Sequence, residues 1–298
     1  MNYQVFWLVM IMKAERLTTF SILGGDKRML FLARSLCGDG KRVLLGGVDN
    51  LKSLGAPVIT DVGSAVRYAD AVIFPLPCVR ADGSLNTVFS DGSVFLTEEE
   101  QQAVLRTPVF TSMKERLVRA YPSLKAGMIY DYAAREDFAV RNALPTAEGA
   151  IERAMNAYEG TIAGSRSLVV GFGRIGKALT RLLKALGSEV TVAARSEKDL
   201  AEIETLGCAV VVTGEISSVK GFDLVFNTVP FLIFDRELLS KTDENTLIID
   251  LASLPGGVDM EAASALGIDA QRALSLPGKC APKTAAEIIK RTVYATDI

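Results

Sequence analysis

The 298-residue chain is 49% hydrophobic and 23% charged, with a formal net charge of only −2. That balance supports sizeable apolar cores and gives no bulk basic field to recruit nucleic acid or an anionic membrane. The chain has no histidine, and Cys37, Cys78, Cys208 and Cys280 are far apart, so the usual zinc ligand sets cannot form and no metal site is expected. Scattered thiols fit a reducing cytoplasm.

The first apolar stretch, VFWLVMIM (5–12), is too short for a bilayer span, which takes about 20 residues. It lacks a basic n-region and a small-residue cleavage site, so it does not read as a signal peptide. It reads as an upstream extension, with the functional chain beginning near Met12; an added edge strand or a dimer contact are the alternatives.

In TTFSILGGDKRMLFLARSL (18–36), a β-like run ends at Gly24-Gly25, and Met29, Leu32, Ala33 and Leu36 then recur at helical spacing. RVLLGG (42–47) and DAVIFPLP (70–77) read as strands, and the stretch 78–95 as a run of turns. LTEEEQQAVL (96–105) reads as a helix with acids in its first turn, where the helix dipole favours them. PVFTS (108–112) and GMIYDY (127–132) supply further strands, and PTAEGAIERAMNAY (145–158) predicts a helix connecting two domains.

The second half is clearer. SLVVGF (167–172) is a buried strand, and Ile175, Ala178, Leu179, Leu182, Leu183 and Leu186 mark one face of the helix after it. EVTVAAR (189–195), CAVVVT (208–213), DLVFNTVP (223–230) and NTLIIDLAS (245–253) follow as strands, and APKTAAEIIKRTVYA (281–295) as a final helix. Alternating strands and helices predict an α/β fold of two doubly wound Rossmann-like domains, with mostly parallel sheets and a cleft between them. The expected division is 1–146, on the substrate side, and 147–298, holding the nucleotide, with the last helix returning towards the first domain.

GFGRIG (171–176) carries the chemistry. A G-x-G-x-x-G between a strand and an amphipathic helix is a dinucleotide fingerprint. Gly171 allows the tight turn, Gly173 lets backbone approach a pyrophosphate, and Gly176 lets helix and strand pack closely, with Phe172, Arg174 and Ile175 completing the turn. The end of the second strand selects the cofactor. An NAD site places a carboxylate there, whereas this chain has Arg195 and Ser196, suited to a 2′-phosphate, which points to NADP. Asn227, Thr228 and Pro230 follow the fourth strand and are expected to line the nicotinamide ribose.

Taken together, LGGDKR (23–28), NALPTAEGA (142–150), VVGFGRIG (169–176), ARS (194–196), FNTVP (226–230), DLASLPGG (250–257) and LPG-x-x-APKTA (276–285) resemble the family of dipicolinate synthase A subunits from endospore-forming bacteria. The resemblance runs from about Phe20 to about Ile289. It implies oxidation of dihydrodipicolinate to dipicolinate with NADP+ and a partner in the flavoprotein-like B subunit of dipicolinate synthase. It also implies homo- and hetero-oligomers and a sporulation role in the mother-cell cytoplasm. Aromatisation would drive such a reaction, which suits a chain without histidine. The substrate is a dianion, so Arg141 and Lys283 are candidate cationic partners, with Asn142, Thr146 and Ser253 as hydrogen-bonding neighbours. Glu148 or water would accept the proton, and Glu148 and Lys283 are the candidate catalytic pair. Two alternatives stand beside this reading: a lysine-dependent NADP dehydrogenase of another small carboxylate, or a non-catalytic NADP(H)-binding subunit.

Overall fold

The computed structural model describes residues 12–51, 55–218 and 220–298. Apart from Met12, the stretch 5–12 lies outside the described residues. The chain forms two compact units: one runs to Ala139 and includes Pro282–Ile298, and the other is Val140–Ala281.

In chain order, the first unit contains β1 (Thr19–Leu23), α1 (Lys27–Gly38), β2 (Arg42–Gly46), β3 (Val58–Ile59), α2 (Val62–Arg67), β4 (Ala71–Ile73), α3 (Glu98–Val104), β5 (Val109–Thr111), α4 (Lys114–Ala120) and β6 (Ile129–Asp131). The helix α5 (Glu136–Ala157) carries the chain into the second unit. There follow β7 (Arg166–Val170), α6 (Arg174–Ala185), β8 (Glu189–Ala194), α7 (Glu197–Thr205), β9 (Ala209–Val212), β10 (Leu224–Asn227), α8 (Arg236–Leu239), β11 (Leu247–Asp250), α9 (Met260–Ala265), β12 (Ala270–Arg272) and α10 (Leu276–Cys280). The last helix, α11 (Pro282–Tyr294), belongs to the first unit.

Each unit holds a six-stranded sheet, in the orders β3-β2-β1-β4-β5-β6 and β12-β11-β10-β7-β8-β9. Every pairing is parallel. Both sheets are doubly wound, because the strand order reverses direction at β1/β4 and at β7/β10. Parallel strands covered on both faces must be apolar almost throughout, and the sequences show it. In the first unit, Phe20 and Ile22 bury against α1 and α11, while Leu23, Leu44 and Val72 bury in a second cluster. In the second, Val169, Val192 and Phe226 join one core, and Leu168, Val225 and Ile248 join the other.

Local chemistry fixes the helix starts. Asp26, Asp61, Ser196, Asp235 and Asp259 accept first-turn N–H groups of their helices, and Thr97 with Glu100 forms a reciprocal capping box on α3. One boundary departs from the sequence pattern. Pro145 marks a helix start by local rules, but α5 begins at Glu136 and the proline lies inside it. An interior proline forfeits the bond to the carbonyl four residues back and costs roughly 3 kcal/mol. Packing offsets that cost: Ala147, Ala150, Ile151 and Ala154 are buried at helical spacing after the proline. The Thr146 hydroxyl also donates to the Asn142 carbonyl at 2.7 Å.

Candidate functional site

The turn from β7 into α6 admits only glycine at two positions. Gly171 has φ +97°, and a Cβ there would meet the Thr228 side chain and approach Val229 Cγ2 to 2.8 Å. A Cβ on Gly176 would overlap the Gly171 carbonyl. Gly173 differs: a Cβ there meets nothing within 4 Å. Packing therefore explains Gly171 and Gly176, while the space beside Gly173 is open to a ligand. Gly173 is also the N-cap of α6 and offers no side chain to the first-turn N–H groups, so the positive end of the helix is left uncapped by any side chain.

A groove of about 1270 Å³ opens from this turn. It runs past Ala194, Arg195 and Ser196 after β8, past Thr213, Gly214 and Ile216 after β9, and along Thr228–Leu232 after β10. Those are the carboxyl ends of four adjacent strands, where ligands of doubly wound sheets lie. Phe172 packs into the core and also lines the groove, while Ile175 is partly buried against the core and does not line it. Arg174 and Arg195 are exposed. Arg195 makes no ion pair among the described residues. The Ser196 hydroxyl donates to Asp199 Oδ2 at 2.7 Å and accepts from Asp199 N, so it caps α7. Asp199 lines the groove beside Arg195, a carboxylate that the motif spacing does not single out.

Asn227, expected along the ribose, is instead fully buried. Its Nδ2 donates to Val229 O at 3.0 Å and to Asp250 Oδ1 at 2.8 Å, and its Oδ1 accepts from Val229 N. It shapes the wall that Thr228 and Pro230 present to the groove. Thr228 Oγ1 donates to the Val170 carbonyl at 2.9 Å, which pins the wall to β7.

Asp250 opens the motif DLASLPGG, but the motif by itself assigns it no role. It ends β11 fully buried and accepts from Asn227 Nδ2, from Ala252 N at 3.3 Å and from Gly257 N at 3.1 Å. One carboxylate thus ties the loop after β10 to the loop after β11. Arg272, its register partner on β12, lies with Nε 3.7 Å from Asp250 Oδ2. The sequence signal for it is an acid closing the apolar run LIID, since a charge in a strand buried on both faces needs partners.

The equivalent turn in the first unit is built differently. Gly24 and Gly25 have φ +69° and +94°, as a turn of this kind requires, but the space above them is filled by the chain itself. Gly25 N donates to Asn86 O at 2.6 Å, and Cβ atoms on Gly24 and Gly47 would lie 2.7 and 2.9 Å from Thr87 Cγ2. The first turn of α1 already has an anion, because Asp26 accepts from Arg28 N at 3.0 Å and pairs with the buried Arg28 guanidinium at 2.8 Å. Residues 78–95, legible in the sequence only as turns, thus plug this unit's nucleotide position.

The remaining candidates lie on three different segments of the chain. Arg141 and Asn142 are half-buried on α5, and the buried Thr146 gives its hydroxyl proton to the helix backbone. Glu148 is exposed and opens on a separate, largely apolar groove with Ile151, Met155 and Leu182, not on the nucleotide groove. Ser253 is exposed on the loop after β11. Lys283 is exposed in the first turn of α11, in the first unit.

Residues 19–133 match the family model of the N-terminal domain of the dipicolinate synthase A subunit. Residues 135–253 match that of the D-isomer specific 2-hydroxyacid dehydrogenase NAD binding domain. The dipicolinate synthase A subunit of Bacillus subtilis (strain 168) is 34% identical over 276 residues, covering 90% of this chain and 92% of the relative. The chain belongs to the family of dipicolinate synthase A subunits. The solved A subunit from Bacillus halodurans superposes with a TM-score of 0.82 at 30% identity, over 92% of this chain and 95% of that one. The solved dipicolinate synthase A chain from Bacillus subtilis gives 0.80 at 33% identity, over 93% and 94%.

Family membership and geometry agree on the second unit as the dinucleotide-binding part, of the type found in nicotinamide-dependent dehydrogenases. No helix among the described residues is long and apolar enough to cross a membrane.

Proposed function

We propose that this chain holds NADP+ on its second unit and oxidises dihydrodipicolinate to dipicolinate, pyridine-2,6-dicarboxylate, working with a partner B subunit in sporulation. The observation that carries this reading is the open space at Gly173 over the uncapped end of α6, continuous with a groove that reaches Arg195. The cofactor would supply the hydride acceptor. First-turn N–H groups of α6 would hold its pyrophosphate. Arg195, without an ion-pair partner among the described residues, would meet a 2′-phosphate as a fixed cation. Thr228 and Pro230 would form the wall of the groove, held in place by Asn227.

Aromatisation of the product ring lowers the demand for a dedicated base. Because Glu148 opens on another groove, we assign the proton to water and expect Glu148→Gln to retain turnover. Arg141, with Ser253 as hydrogen-bonding neighbour, is proposed as a partner of a substrate carboxylate.

Asp199 beside Arg195 favours a second reading, NAD+, because a groove carboxylate suits ribose hydroxyls better than a phosphate. Calorimetric binding of NADP+ and NAD+ to the wild-type chain and to Arg195→Asp separates the two. A preference for NADP+ that is lost in the variant supports the proposal. A preference for NAD+ that ignores Arg195 overturns it.

A further inference from the structure

Arg272 is the only arginine among the described residues with a buried side-chain nitrogen that lacks any hydrogen-bond partner. Its Nε lies 3.7 Å from Asp250 Oδ2, beyond hydrogen-bond reach, and the one side-chain hydrogen bond it makes among the described residues, from Nη2 to Val258 O, is 3.5 Å long. A guanidinium has five N–H donors, and buried ones are nearly always used. A purely counter-ionic role for Asp250 does not account for this. Asp250 already accepts three hydrogen bonds from Asn227, Ala252 and Gly257, and a dedicated arginine partner would close to bidentate contact. The carboxylate holds the guanidinium by charge, leaves Nε without a hydrogen bond, and the long contact of Nη2 with Val258 O leaves the outer N–H groups weakly engaged.

Arg272 ends β12 beside the end of β11, at the carboxyl edge of the sheet, with its side chain 28% exposed. It lies against the loop after β11, where a Cβ on Gly256 would be 2.7 Å from Nη2. Only glycine lets that loop pass between carboxylate and guanidinium. The same loop presents Ser253, exposed and with a hydroxyl that makes no hydrogen bond to protein among the described residues.

We infer that Arg272 is a carboxylate-binding residue: its outer N–H groups, held by Asp250 against the Ser253–Gly257 loop, receive one carboxylate of a small planar dicarboxylate. The ligand class rests on the proposed function; the position of the cation does not. The test is calorimetric titration of pyridine-2,6-dicarboxylate and pyridine-2-carboxylate into the full chain saturated with NADP+, for wild type, Arg272→Gln and Arg272→Lys, with NADP+ affinity and Tm measured in parallel. The expected result is a dicarboxylate affinity at least tenfold weaker in Arg272→Gln and intermediate in Arg272→Lys, with NADP+ affinity within about twofold of wild type. Equal dicarboxylate affinity in wild type and Arg272→Gln overturns the inference and leaves the proposed function standing. Parallel loss of NADP+ and dicarboxylate binding overturns it too, since Arg272 then acts only through Asp250 and the fold of the wall. No dicarboxylate binding by NADP+-loaded wild type overturns the substrate reading itself. If Arg272→Gln does not fold, Arg272→Lys, which keeps a cation beside Asp250, is read alone, and a dicarboxylate affinity equal to wild type then overturns the inference.

Discussion

Asn227 Nδ2 donates to Asp250 Oδ1 at 2.8 Å, and neither side chain reaches solvent. This bond joins the ends of β10 and β11 and sets the shape of the groove wall from behind. Asn227→Ala leaves Asp250 and the Val229 backbone groups short of a partner, at a cost of about 1–3 kcal/mol. Urea unfolding will read that loss. Hydrogen exchange will show the amides of residues 229 and 231–233 opening more than those of β7. Unchanged exchange there would show that the wall does not depend on this bond.

Two glycines of one motif should differ in what the same change does to stability. Gly173→Ala adds a Cβ that meets no protein atom, at a backbone φ of −76° that alanine adopts readily. Its stability should stay within about 1 kcal/mol of wild type, because the lower entropy of the unfolded chain is offset by alanine's poorer N-capping, while dinucleotide affinity falls at least tenfold. Gly176→Ala drives a methyl into the Gly171 carbonyl and should lower both stability and binding. Dinucleotide affinity that survives Gly173→Ala would remove the phosphates from this turn.

The plug over Gly24 and Gly47 carries an unpaired hydroxyl. Thr87 Oγ1 is buried without a hydrogen-bond partner, while its Cγ2 fills the space above both glycines. Thr87→Val keeps the shape and removes the orphaned group, so it should raise stability by about 1 kcal/mol, measured as a higher urea midpoint. Calorimetry on the same variant should still find one dinucleotide per chain, because the plug remains. A second binding event in wild type would contradict the plug.

Acid should weaken the link between β1 and β4 through Asp70. Burial pushes its carboxyl up, but hydrogen bonds from the Thr18 hydroxyl at 2.7 Å and from the backbone of Thr18 and Thr19 outweigh this and leave it below its ordinary value. A depressed folded-state value contributes stability that is complete above the unfolded pKa of about 3.9. That stability is lost as pH falls through the lower folded value. Asp70→Asn should therefore be less stable than wild type at pH 7, and the gap should shrink as pH drops below about 4. A gap independent of pH would assign it to packing.

The strands at the centre of each sheet were legible because burial on both faces leaves continuous apolar runs, as in LVV before Gly171. The edge strands β3 and β12, of two and three residues, carry no period and left no mark in the sequence. Pro145 misplaces the start of α5, since local propensity cannot register the alanine packing that carries the helix through it. At the site, the glycine turn and the exposed Arg195 could be read because their chemistry is local. The roles of Asn227, Asp250 and Thr87 could not, because each depends on what meets it from a distant segment. An asparagine after a strand looks the same whether it faces a ligand or its own backbone.

One consequence of the fold concerns the order in which it is made. The first unit is discontinuous: α11 supplies Ala286, Ile288, Ile289 and Val293 to the same core as Phe20, Met29 and Leu36. Those four side chains are translated after the whole of the second unit. During synthesis, the apolar face of α1 must wait while the nucleotide-binding unit leaves the ribosome and acquires its own core. The half of the chain made first is therefore the half finished last, and a nascent chain arrested before residue 282 carries a complete nucleotide unit beside an open one.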